Sequence, residues 1–248
     1  MPLVSIVTPA YNCINTIKKT YDSVLSQTFK DWEWIIVEDH SKDNSFDFIK
    51  EMTRNDKRVI LLRTEKNSGA AVARNVGIEK ASGKFVAFLD ADDLWYPEKL
   101  EKQIEFMKNN DYLLTYTDYD LLLANGKTKQ YVTKKSSFTY KSLLKTNGIG
   151  CLTAMYDASK LGKVYMPLDC EKREDHGIWL DMTRNGLIAY KLSAILSTYR
   201  VGNGTVSSSK FKMVKYQYLL YRKHEKFNII KSAWYVFLCS FNKVFRKY

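Results

Sequence analysis

Short apolar runs alternate with amphipathic stretches through the first 110 residues, and the spacing within each sets the element it predicts. Residues 4–8, 34–37, 59–62 and 85–89 are brief, β-branched and aromatic runs of the kind that form buried strands. Between them, Ile17, Tyr21, Val24 and Leu25 share one helical face, and so do Phe46, Ile49 and Met52, with Asp43 placed to cap that second helix. The Ala-rich stretch 70–81 predicts a third helix. Pro97 opens a fourth, with Leu100, Ile104 and Met107 inward. Strand–helix alternation of this kind predicts an α/β, parallel-rich sheet with helices on both faces, whose ligands sit beyond the carboxyl ends of the strands. Farther on, 113–118 reads as a strand, Asn125-Gly126 as a hairpin turn and 139–145 as a short helix. A last helix spans 174–185, with Ile178, Trp179 and Met182 inward and Gly186 as its stop.

The residues just after the predicted strands carry the candidate chemistry. They are Pro9, Ala10, Tyr11 and Asn12 after the first, Glu38 and Asp39 after the second, and Asp90, Asp92 and Asp93 after the fourth. Arg74 lies near the start of the third helix. Neither GxGxxG nor GxxxxGK[ST] occurs, which excludes a phosphate cradle at a helix terminus. A diphosphate would instead need a cation, and Asp90, Asp92 and Asp93 offer hard oxygen ligands suited to Mg²⁺ or Mn²⁺. Each residue also has a plainer alternative. Tyr11 could be a core aromatic, Asp39 and Asp43 could cap a helix, and Arg74 could pair with a helix neighbour on a solvated face. The three aspartates could form a polar turn. Glu174 and Asp175 open the last helix, where the macrodipole favours ionised carboxylates, so capping and proton transfer both suit them.

Composition narrows the class. The chain has 248 residues, 45% hydrophobic and 27% charged, enough for a sizeable core and far from the make-up of disordered or fibrous proteins. Four widely spaced cysteines exclude a disulfide framework and a zinc knuckle. Residues 1–8 read as a strand and not as a secretory signal, so a cytoplasmic, reducing setting is expected. The net charge of +12 is concentrated: residues 210–248 hold ten Lys/Arg against the single acid Glu225. The same tail is dense in aromatics, and its longest apolar run, 233–239, is far short of the roughly 20 residues a spanning helix needs. Interleaved bases and aromatics fit a helix lying in a membrane interface. The alternative is a basic helix whose apolar face packs on the domain. No nucleic-acid module accompanies the charge, so no nucleic-acid partner is expected.

Four sequence blocks occur in order at strand ends: Pro9-Ala10-Tyr11-Asn12, Ile35-Ile36-Val37-Glu38-Asp39, Gly69 to Arg74-Asn75, and Phe88-Leu89-Asp90-Ala91-Asp92-Asp93. With Arg173-Glu174-Asp175-His176 and Trp179-Leu180 they resemble a family 2 glycosyltransferase of GT-A fold, over roughly the first 200 residues. The resemblance implies an inverting transfer of a hexose, glucose or galactose favoured, from a UDP-sugar. The implied acceptor is an undecaprenyl-diphosphate-linked glycan in O-antigen, capsule or teichuronic-type polysaccharide synthesis. Tyr11, flanked by Pro9 and Asn12, would stack on uracil, and Asp39 would accept its ring N–H. Arg74 would lie near the uracil edge or the diphosphate, and Arg200 near the diphosphate. Asp92 and Asp90 would hold Mn²⁺ or Mg²⁺, with Asp93 touching the donor sugar. Asp175 would be the general base, and Glu174 would orient the acceptor. The family's Arg-x-His element lacks its histidine here, in 197–204, and residues 202–209 are expected to close over the donor.

The expected organisation is a GT-A domain at 1–209, divided into a nucleotide-sugar half at 1–110 and an acceptor half at 111–209. A tail at 210–248 would rest on the cytoplasmic face of the inner membrane. An N-acetylhexosamine donor, or a non-catalytic membrane-associated scaffold, is the alternative.

Overall fold

The computed structural model describes residues 1–201 and 210–245, with side chains for all of these except 210, 211 and 243–245. The predicted lid at 202–209 lies outside the described residues. The first half is built of β1 (Val4–Ala10), α1 (Ile17–Leu25), β2 (Trp32–Glu38), α2 (Ser45–Thr53), β3 (Val59–Arg63), α3 (Ala70–Lys80), β4 (Phe85–Phe88), β5 (Leu94–Trp95) and α4 (Lys99–Asn110). The second half holds β6 (Leu114–Leu122), β7 (Thr128–Tyr131), β8 (Ser137–Phe138), α5 (Tyr140–Leu143), β9 (Met155–Asp157), α6 (Ala158–Leu161), α7 (Glu174–Thr183) and β10 (Ala189–Arg200). The tail folds as α8 (Lys210–Leu219), a π-helical turn (Leu220–His224) and α9 (Ile229–Phe245).

One sheet runs through the molecule in the order β3-β2-β1-β4-β9-β6-β10-β5, with β7 on β6 and β8 on β10. The β3-β2-β1-β4 block is parallel, as the crossover helices require, and β9 joins it antiparallel to β4. Period-2 alternation sends each strand's side chains to two different cores. Val4, Ile6, Trp34, Ile36 and Ala87 face one, and Val7, Ile35, Val37, Val86 and Phe88 face the other. Both faces are dry, which is why these strands are nearly continuous apolar runs. Helix α3 lies very close to this sheet, because a Cβ at Gly77 would come within 2.6 Å of Val7 Cγ1.

The tail's inner face takes the packing alternative. Leu220 and Tyr221 are fully buried in the core that also contains Trp179, and Phe227, Tyr235, Val236 and Cys239 pack against it. Polar bonds fasten it along its length. Gln217 meets His176, the Tyr221 hydroxyl donates to the Leu144 carbonyl at 2.7 Å, and Asn242 Nδ2 donates to the Lys145 carbonyl at 2.9 Å. Arg184 pairs with buried Glu225 at 2.9 Å, and His224 bridges Asp169 and Asp181 at 2.9 Å each.

Candidate active site

The carboxyl ends of β1, β2 and β4 lie side by side, and each delivers a polar loop. The first two loops are bonded to each other. Asn12 N–H donates to Ser41 Oγ, Cys13 N–H to Ser45 Oγ and Lys42 N–H to Asn12 Oδ1, each at 2.9 Å. Asn12 itself adopts φ 47° and turns the chain away from the strand. This arrangement leaves Tyr11 41% exposed, so it is not a core aromatic. Pro9 pairs in register with Val37 beneath it.

Glu38, fully buried, takes the Ser41 N–H and pairs with Arg63 at 2.9 Å, so its carboxylate braces the loop. Asp39 accepts from the Thr64 hydroxyl at 2.8 Å and from the N–H groups of Ser68 and Gly69 at 3.0 and 2.7 Å. It therefore holds the approach to α3 and does not cap α2. The α2 start is served by Asp43, whose Oδ1 takes the Ser45 N–H at 3.0 Å.

Arg74 is not on a solvated face. It lies on the buried side of α3 with Ala73, Gly77 and Ile78, and its guanidinium reaches Asp90 Oδ1 at 2.6 Å and Glu174 Oε1 at 3.4 Å. Burial works against its charge, but the Asp90 and Glu174 carboxylates outweigh that effect and raise its pKa above the ordinary arginine value. One buried cation thus joins the turn after β4 to the start of α7. Its bonded carboxylates are Asp90 and Glu174, while Asp39 is bonded to Thr64, Ser68 and Gly69.

The aspartate turn is fixed from both sides. Thr20 Oγ1 donates to the carbonyls of Ala91 and Asp93 at 3.1 and 2.9 Å. From the far end of β10, Arg200 N–H donates to Asp93 Oδ1 at 2.9 Å and its Nε to the Asp92 carbonyl at 3.0 Å. Burial, then the neighbouring Asp90, pushes the Asp92 carboxyl above its usual range. Asp93 is pushed well up by burial and then by Asp90 and Asp92.

At α7, burial raises the Glu174 carboxyl, and Arg74 opposes the shift. Asp175 Oδ2 accepts from Asn147 Nδ2 at 2.9 Å. His176 does not join these carboxylates. Its Nε2 meets the Leu143 carbonyl at 2.8 Å, its Nδ1 meets Gln217 at 3.0 Å, and burial lowers its pKa to about 4, so it is neutral and ties α7 to α5 and α8. Three residues here carried no sequence signal. Asn147 sits in a polar loop without periodicity. Cys151 has its buried thiol among Arg74, Asp90, Glu174 and Asp175, and Tyr119 on β6 feels the charges of both Asp93 and Asp175.

Known proteins match the chain over most of its length. The glycosyl transferase family 2 profile matches residues 5–156. The chain belongs to glycosyltransferase family 2. The putative teichuronic acid biosynthesis glycosyltransferase TuaG of Bacillus subtilis is 40% identical over 94% of this chain and 92% of its own. The UDP-Glc:alpha-D-GlcNAc-diphosphoundecaprenol beta-1,3-glucosyltransferase WfgD of Escherichia coli is 39% identical over 87% of this chain and 84% of its own. S. aureus TarS in complex with UDP-GlcNAc superposes with TM-score 0.74 over 98% of this chain and 73% of that one, and at 22% identity it shows a shared GT-A fold. The TuaG match, covering 94% of the chain, reaches into the tail.

In this glycosyltransferase a divalent cation fits the aspartate turn. Asp93 Oδ2 is buried without a partner among the described residues, and burial, then the neighbouring carboxylates, raises Asp92 and Asp93, a penalty on their charged forms that a cation held there would offset. Asp169, Cys170 and His224 also lie within one ligand sphere of one another, but both ring nitrogens of His224 are already bonded to carboxylates.

Proposed function

We propose that this family 2 glycosyltransferase moves a hexose from a UDP-sugar to a hydroxyl of an undecaprenyl-diphosphate-linked glycan, with inversion at the anomeric carbon, in surface-polysaccharide assembly. The observation that carries this reading is the Arg74 bridge. It brings the Asp90–Asp93 turn and the Glu174–Asp175 pair, far apart in sequence, to one point between the parallel strand ends and the β6–β10 half. The names of TuaG and WfgD, which align over most of the chain, support the acceptor class, and that of WfgD favours glucose over galactose.

Tyr11 offers its exposed ring to the uracil, with Pro9 and Asn12 shaping the loop, and Asp39 lies beside it to accept the ring N–H. Asp92 and Asp90 would hold Mn²⁺ or Mg²⁺, which as a Lewis acid stabilises the departing diphosphate. Asp93 would orient the site or touch the donor sugar, and Arg200, bonded to the same turn, would add positive charge for the diphosphate. Asp175, held by Asn147, takes the proton from the acceptor hydroxyl as the oxygen attacks the anomeric carbon. The bond to the diphosphate breaks and its electron pair leaves with UDP. Glu174, half of the Arg74 bridge, orients the acceptor.

No described helix is long and apolar enough to cross a membrane. The basic tail, residues 210–248, supports a peripheral position on the cytoplasmic face of the inner membrane, where a lipid-linked acceptor is presented. Replacing Asp92 with Ala tests the metal site. UDP-glucose consumption with Mn²⁺ is expected to fall by about 10²-fold or more. Retention of the wild-type rate would remove the aspartate turn from the reaction.

A further inference from the structure

We infer that one face of α9, the stripe Ile230, Trp234, Phe237 and Phe241, is the surface through which the chain inserts into an anionic lipid bilayer. This deepens the membrane placement proposed above and rests on it. The fold gives the described part of the tail two faces with different jobs.

The inner face of α9 is spent. Ser232 and Asn242 are buried, and Tyr235, Val236 and Cys239 pack on the core. The opposite face is exposed. Ile230 is 82% exposed, Trp234 56%, Phe237 54% and Phe241 40%, and Ile229 beside them is 65% exposed. The spacing of four, three and four residues puts the first four in one line of about 16 Å along the helix. Their rings touch: Trp234 and Phe237 have centroids 5.7 Å apart, and Phe237 and Phe241 6.0 Å. A folded chain gains nothing by lining up large apolar side chains in water, so such a stripe marks a surface that is covered in use.

Charge decides what covers it. Lys223, Lys226 and Lys231 are exposed at the amino-terminal end of α9, with Lys231 3.7 Å above the Phe227 ring, and the sequence adds Lys243, Arg246 and Lys247 at the other end. A second copy docking stripe to stripe would set one basic segment against another with no acid to pair it, since residues 226–248 contain no Asp or Glu. Four or five side chains also fall well short of the roughly 800 Å² per partner that a stable protein interface buries. Anionic headgroups meet both needs at once, taking the ammonium groups while the stripe enters the acyl boundary. The same helix pair is bonded to α7 through Gln217, His224 and Glu225.

The protein carries its own probe. Of the five tryptophans, Trp32, Trp34, Trp95 and Trp179 are at most 3% exposed, and Trp234 alone faces solvent. Full-length protein is mixed with vesicles of phosphatidylcholine, or of phosphatidylcholine and phosphatidylglycerol in equal parts. The tryptophan emission is expected to shift to the blue with the anionic vesicles only. Trp234→Phe should abolish the shift while co-sedimentation persists. Trp234→Glu combined with Phe237→Glu should cut co-sedimentation about tenfold or more, with UDP affinity unchanged as the control for fold and donor site.

Co-sedimentation without an emission change would overturn the stripe and leave the membrane placement standing through another face. No co-sedimentation at all would overturn both. Equal binding to the neutral vesicles would overturn the role of charge. A concentration-dependent dimer that these substitutions dissolve would assign the stripe to a second copy instead. Unchanged UDP affinity in every arm keeps each of these separate from a failure of the transferase reading.

Discussion

Asp175 would have little orienting support without Asn147. The Asn147 amide donates to Oδ2 at 2.9 Å and so restrains the carboxylate's orientation. Asn147→Ala is therefore expected to lower kcat roughly 10- to 100-fold, the usual cost of a misplaced reacting group, with the KM for the UDP-sugar unchanged. A raised donor KM with kcat intact would place Asn147 at the nucleotide instead. Arg74 works differently. It is a buried cation between two carboxylates, and removing one partner of such an arrangement leaves charge uncompensated in a dry site. Its position could be suspected from the sequence, because it follows Ala73 on the face that also carries Gly77 and Ile78. Its two partners could not, since one is 16 residues away and the other 100. Asn147 had no signal at all, because a loop amide has neither periodicity nor a spacing to betray it.

Among the elements, α7 is held by α8 and the π-helical turn, and one of the ties titrates. The hydrogen bond to Asp181 raises the His224 pKa above its ordinary 6.5, against burial, with Asp169 adding to the rise. The folded chain therefore keeps a proton that the unfolded chain releases above about pH 6.5. This contribution to stability is complete below that pH and is lost as pH rises through the folded value. Urea unfolding of the wild type and His224→Gln should show a wide stability gap at pH 6 that narrows by pH 9. A gap that is constant or widens with pH would contradict the bridge. The parallel strands β1 to β4 were legible because each is an apolar run long enough to carry its own pattern. β5, two residues at Leu94–Trp95, is too short for one. β10 was hidden by Lys191 and Ser193, and Lys191 is accommodated by its ion pair with Asp118 on β6 at 3.2 Å.

On the scale of the molecule, the tail is both a wall of the core and an outer surface. Leu220 and Tyr221 are fully buried, and Tyr221 stacks with Phe227 while meeting Tyr235 at 5.6 Å. Removing residues 210–248 would uncover α7 and α5, so the truncated chain is expected to melt at least several degrees lower and to aggregate. Thermal denaturation monitored by circular dichroism checks this. An unchanged melting temperature would mean that the tail only rests on the surface. Composition alone offered packing and membrane contact as alternatives for this segment. The inner face of α9 packs, which leaves only the outer face for a bilayer, a division that depends on helix phase and on the neighbours at each turn.

As proposed above, Asp175 removes the acceptor proton in a UDP-hexose transfer. The most direct measurement is UDP release with Mn²⁺ or Mg²⁺ from UDP-glucose and UDP-galactose, using a GlcNAc-diphosphate-lipid acceptor and comparing wild type with Asp175→Asn. Turnover with one donor is predicted, falling by about 10³-fold in the variant while UDP still binds. Wild-type turnover by Asp175→Asn, or no binding of UDP by either protein, would contradict it.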